Sequence, residues 1–306
     1  MFVNYFGDDS RPSPINLALG RAVLGCWLVW KTVYYDWSLM LSEPYRAMAY
    51  SGYDVLIPLS APWILTVEKW LLVAVVSLFV VGYRLRFTAF TSAILVAHLA
   101  TIRKTLVSSG EVSALFIGSI FLLFFALYPD DVLSLDGLRR VRSKSLGWLV
   151  SRLKSDEDHS YQMPSMTYSL LTLAILFFST GASKVVDGGG FGFVVPDNLS
   201  RLVLLRSYVY PWSDLGLVVV EYPFLGVLGG VGTLVLEFGF LVAVLAGVTI
   251  TPLVLGLTLF TISNVVILGI FFVDNLFFLA LFAAYDRVYA RLAVDRDLDL
   301  VFDEHC

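Results

Sequence analysis

Charge is scarce in this chain. Of 306 residues only 15% are Asp, Glu, Lys or Arg, while 58% are apolar and the mean hydropathy is +0.80. A soluble domain with that balance would expose more apolar surface than it could hide, so the composition argues against an aqueous globular fold and for the bilayer as solvent. Cysteine is nearly absent. Cys26 lies inside an apolar run and Cys306 is the last residue, which leaves no disulfide framework and says nothing about redox compartment. The three histidines, His98, His159 and His305, are scattered, so no metal-ligand spacing is present and no metal is expected. A net charge of −4, with an acidic stretch over 295–304, argues against a nucleic-acid partner. Walker loop, nucleophile elbow and dinucleotide fingerprint are all missing. The first residues lack the basic cluster and small-residue cleavage site of a secretory signal, so the first apolar run is expected to stay in the mature protein.

What the chain does have is apolar runs bounded by charge or turn residues. Eight are candidate spans: 15–35, 64–82, 87–102, 111–128, 167–183, 226–247, 252–272 and 275–290. The expected fold is all-α, a polytopic membrane helix bundle of about eight transmembrane helices forming a single domain over 1–306. The segment 184–225 is mixed in polarity, with Arg201, Arg206, Asp214 and Glu221 beside Tyr208, Tyr210 and Trp212, and reads as extracytoplasmic interfacial or re-entrant helix. Basic residues concentrate in three places: Arg84 and Arg86; Arg139 to Lys154; and Arg287 to Arg296. With eight spans all three fall on one side, which puts both termini and the loop 129–166 in the cytoplasm of a cell-membrane protein. Within that loop, Arg139 to Leu153 interleaves apolar and basic residues and is either an amphipathic stretch on anionic lipid or a solvated loop.

Ionisable side chains within apolar runs are the candidate functional residues, because each costs ~2.5–3.5 kcal/mol at mid-membrane unless it finds a partner, a wet cavity or a route to the surface. Lys31, Arg103 and Lys104 either snorkel to headgroups or line a site, and Arg21 is expected to snorkel at the inner face. His98 is a packing histidine or a catalytic one. Glu237, central in its run, pairs with a cation or belongs to a site, and Asn264 is expected to bridge helices. Asp274 opens the last run. Lys184 follows Gly181-Ala182-Ser183, small residues that let another helix or a flat ligand approach, and a desolvated lysine can serve as a base; the alternative is a lysine among headgroups.

Four stretches together resemble the HTTM family, the horizontally transferred transmembrane domain to which vitamin K-dependent gamma-carboxylase belongs. They are Leu19-Gly20-Arg21-Ala22-Val23-Leu24-Gly25, Leu133-Ser134-Leu135-Asp136 after Pro129, Gly181-x-x-Lys184, and Leu236-Glu237-Phe238-Gly239-Phe240. The resemblance implies that Lys184 is a catalytic base towards a hydroquinone. The pattern departs from the carboxylase at Val107 to Glu111, where its histidine has no counterpart, at Gly188 to Phe193 in place of a tryptophan, and at Ser263 or Asn264 in place of a histidine. No large extracytoplasmic domain follows the last run. Carboxylation of protein glutamates is therefore not implied.

Two function classes follow. In one, an enzyme binds or oxidises a quinone-type ligand entering from the lipid, with Lys184 as base and Glu237, His98, Lys31 and Asn264 as ligand-binding or charge-pair residues. In the other, a non-catalytic membrane module binds lipid, a hydrophobic small molecule or a partner protein. A small-solute transporter is a third reading, since charged groups at one depth also suit a path.

Overall fold

Prolines open several helices, where a missing N–H costs nothing and a fixed φ is already helical. In the computed structural model, which describes residues 2–3, 14–35, 62–106, 110–129, 134–135, 164–187, 191–195, 200–205, 214–268 and 273–285, the helices are α1 Pro14–Tyr34, α2 Pro62–Val80, α3 Leu85–Leu106, α4 Gly110–Leu127, α5 Pro164–Asp187, α6 Leu217–Glu221, α7 Pro223–Leu245, α8 Thr251–Leu268 and α9 Val273–Ala280. Short 3₁₀ turns lie at Phe191–Val194 and Asp214–Gly216.

Every apolar run read from the sequence contains a helix, but not eight of them are spans. Among the described residues five helices are long and apolar enough to cross a membrane: α2, α3, α5, α7 and α8. Three runs fall short for different reasons. α1 has 21 residues, but Asn16, Arg21 and Lys31 dilute its apolar character. The apolar part of α4 is Ala114–Leu127, about 21 Å at ~1.5 Å per residue against a hydrocarbon core of ~30 Å. α9 stops at Ala280, after eight residues. Five crossings also fail to supply the even number from which both termini were placed on one face. The loop segment 136–163, the aromatic cluster Tyr208 to Trp212 and the basic residues 287–296 lie outside the described residues.

The outward faces of these helices are apolar: only 28% of the α8 span is buried, and Trp63, Phe87, Leu228 and Leu259 are each more than half exposed. Such a surface suits lipid. The chain is a multi-span helical membrane protein.

Two compact units make up the chain: residues 11–169 with 284–306, here the N-terminal unit, and 170–283 with 1–10, here the C-terminal unit. In the N-terminal unit α1, α2, α3 and α4 pack as neighbours. Gly25 on α1 faces Val80, and Gly118 on α4 faces the Trp27 ring, both closer than a side chain would allow. α2 ends in a Schellman turn, with Gly82 at φ +72°, its N–H bonded to the Phe79 carbonyl (3.0 Å) and that of Tyr83 to Leu78 (2.9 Å). Ser134 packs on Gly82, and the Leu135 N–H donates to the Val81 carbonyl (3.0 Å). Arg21 does not snorkel. It is buried, and its Nε donates to the Val80 carbonyl at 3.2 Å, satisfying an acceptor at the frayed end of α2.

The C-terminal unit repeats the device. α7 ends at Gly247, φ +68°, with the Gly247 N–H on Val244 and the Val248 N–H on Ala243 (both 3.2 Å), and the chain turns back into α8. Edge-to-face ring pairs, Phe177 with Phe240 (5.6 Å) and Phe178 with Phe238 (5.2 Å), join α5 to α7. Val203, Val219 and Leu268 form a small core beside α6 and the end of α8. Residues 2–3 lie against 282–283, with the Val3 N–H on Phe282 at 2.9 Å.

Candidate functional site

Lys184 stands in the last turn of α5, where a cation meets the negative end of the helix. Three residues earlier, Gly181 lies against α7: a methyl group there would sit 3.2 Å from Glu237 Cβ and 3.3 Å from Oε2. The missing side chain is what lets the two helices close until Lys184 Nζ donates directly to Glu237 Oε1. The Lys184 ammonium also lies 5.7 Å from the centroid of Phe260 on α8, over its ring. The carboxylate side chain is 3% exposed and the lysine side chain 22%, so the pair has one buried and one partly open end.

Glu237 uses half of its accepting capacity here. Oε2 is buried and has no hydrogen-bond partner among the described residues, and the same holds for Asn264 Nδ2, one turn beyond Phe260. Two nearby hydroxyls do not fill the gap, because Thr233 bonds back to the Gly229 carbonyl (2.7 Å) and Thr261 to Leu257 (2.8 Å). One acceptor and one donor are thus presented within an apolar helix pair. Asp274 is buried in the first turn of α9.

The N-terminal unit holds a second set of polar groups, and here the sequence reading missed a member. His98 on α3 bonds through Nδ1 to both oxygens of Glu68 on α2, each at 2.8 Å, while Nε2 is buried with no hydrogen-bond partner among the described residues. Glu68 lies fifteen residues before Tyr83 and His98 fifteen after it, so the α2–α3 turn brings them level. That mirror spacing was the available signal. Lys31 does not reach headgroups: it is buried, donates to Tyr35 Oη at 3.2 Å and stands 5.0 Å from the Trp30 ring centroid. Arg103 is buried as well, its guanidinium 3.4 Å from the centre of the Tyr35 ring. Lys69 donates to the Val33 and Tyr35 carbonyls (3.2 and 3.4 Å), closing the C-terminal end of α1. The side chain of Lys104 lies outside the described residues.

The Glu68–His98 contact makes its own prediction. In His98→Leu the Glu68 carboxylate loses its partner while still buried, so stability should fall by about 1–3 kcal/mol. His98→Asn, which keeps a donor, should recover part of the loss. Thermal unfolding in one fixed detergent measures both, and equal melting of all three proteins would show the contact to be energetically idle.

Among the described residues no three His, Cys, Asp or Glu side chains gather closely enough to hold a metal ion. No family model, no curated protein and no solved structure matches the chain.

Proposed function

We propose that the Lys184–Glu237 pair is the polar end of a binding site for a lipid-soluble ligand of the quinone type, in a membrane protein of the carboxylase-like HTTM kind. The observation that carries this reading is the direct Lys184–Glu237 contact beside a buried carboxylate oxygen that has no hydrogen-bond partner among the described residues. A proton passing from Nζ to Oε1 turns two charges into a neutral amine and a neutral acid, and burial narrows the gap between those states because it penalises charge. The neutral amine is the base that takes a phenolic proton from a hydroquinone, giving an ammonium and a phenolate held beside it. Support for the family reading comes from where its four stretches lie. Arg21 and Ser134 both border Gly82, and Lys184 meets Glu237, so the four segments fall into two contacts.

The close seat of Gly181 on Glu237 favours a second reading, in which the pair is a structural clamp in a non-catalytic membrane module that binds lipid or a partner protein. Binding separates the two. Purified protein in nanodiscs is titrated with ubiquinone, menaquinone and their quinols, following intrinsic fluorescence and, aerobically, quinol oxidation. Saturable binding by wild type that is lost in a folded Lys184→Met protein is the expected result. No binding of any of the four by wild type ends the quinone proposal and leaves the clamp.

A further inference from the structure

A groove of ≈ 410 Å³ runs between α3 and α4 in the N-terminal unit, lined by Arg86, Phe87, Phe90, Leu123, Ala126 and Leu127. On α3 the lining positions are i, i+1 and i+4, and on α4 they are i, i+3 and i+4, so one stripe of each helix forms a wall. Ala126 supplies the depth between larger neighbours. Phe87, Phe90 and Leu127 are more than half exposed, which makes the walls part of the lipid-facing surface. Their extent, Arg86 to Phe90 and Leu123 to Leu127, is about one helical turn, ~6 Å.

Arg86 is the one charged residue of this lining. It is exposed at the start of α3, and its guanidinium makes no hydrogen bond or ion pair with the described residues. Tyr83 just before it and Tyr128 just after α4 are the tyrosines expected at headgroup level, which places the mouth of the groove at the membrane–water boundary. Arg84 is differently placed. It stands over the Tyr83 ring at 5.8 Å and takes no part in the lining.

We infer that this groove is a binding site for one anionic phospholipid, its phosphate on Arg86 and the upper part of an acyl chain between the Phe87–Phe90 and Leu123–Leu127 walls. A guanidinium offers phosphate a planar pair of donors, and apolar walls directly below it fit the only phosphate ester that arrives attached to a hydrocarbon chain. An anionic headgroup is favoured over a zwitterionic one because it brings no cation of its own to compete for the phosphate. The site is independent of Lys184 and stands whether or not a quinone binds there.

The full chain is reconstituted in phosphatidylcholine with trace spin-labelled phosphatidylglycerol or phosphatidylcholine, and the motionally restricted fraction of each label is read by electron paramagnetic resonance. Wild type should hold phosphatidylglycerol several-fold more strongly than phosphatidylcholine. Arg86→Gln should bring that ratio close to one, Arg84→Gln should leave it unchanged, and Phe90→Ala should lower the restricted fraction of both labels. Equal losses in the two arginine variants would show diffuse surface charge instead of a site. Absence of any preference in wild type, or displacement of labelled phosphatidylglycerol by inorganic phosphate at constant ionic strength, would overturn the proposal. Each variant is first checked for wild-type melting, and a loss of preference accompanied by unfolding is replaced by the Arg86→Lys measurement, where an intermediate ratio is required.

Discussion

Lys184→Met and Glu237→Gln should each lower stability by about 3–5 kcal/mol, and the double variant should recover much of that loss. The reason is asymmetric. Together the two charges offset one another across a direct hydrogen bond, in a setting where Glu237 is almost wholly buried. Either alone is a charge in an apolar helix pair, and breaking such a contact costs far more than replacing it whole. Lys184 is the more open partner, so its lone ammonium has a partial escape to solvent, and Lys184→Met, which strands the buried carboxylate, should be the worse variant. Thermal unfolding of wild type, both single variants and the double variant in one detergent gives the coupling as a double-mutant cycle. Additive losses would mean that the two side chains act separately and would remove the basis of the proposed site.

Gly82→Ala should cost about 3 kcal/mol, from two effects acting on one atom. The φ of +72° is open to glycine and strained for alanine, worth ~1–3 kcal/mol. The added carbon would also lie 2.4 Å from Ser134 Cβ and 2.9 Å from Ser134 Cα, so backbone must shift, at ~1–3 kcal/mol for overpacking. Ser134→Gly relieves only the second effect, and the pair Gly82→Ala with Ser134→Gly should recover part of the loss. Gly232→Ala is the control, since open space surrounds that position. Chemical denaturation of the three variants tests the assignment. If Gly82→Ala melts like Gly232→Ala, the Schellman turn is not the restraint described here.

The helices were legible because apolar runs of this length have one solution in lipid, where every backbone group must bond within its own segment. Their number was not, since a run of apolar letters does not disclose where the helix inside it ends: 275–290 reads as a span, yet α9 stops at Ala280. Glu237 was conspicuous as an acid inside Val235-Leu236-Glu237-Phe238, and the small residues before Lys184 pointed to a close approach there. Glu68 went unnoticed because it sits beside Lys69 and Trp70 near the start of α2, where such residues read as an interface. Its role depends on a residue thirty positions later, a relation set by the turn and invisible in either helix alone. The burial of Arg21 was hidden in the same way, since its acceptor is the backbone of Val80, and carbonyl groups leave no trace in sequence.

The two buried acids face different histories during synthesis. Glu68 and His98 belong to one hairpin closed by Gly82, so the acid is unaccompanied only while the next thirty residues are made, and both members can then enter the bilayer already joined. Glu237 is translated 53 residues after Lys184, so its partner is waiting in a helix made earlier. Entry of α7 thus depends on α5 having been laid down first, and a carboxylate that a translocon would charge ~2.5–3.5 kcal/mol to release into lipid meets its cation on arrival. The order of the helices along the chain is itself part of how this protein admits charge into the membrane.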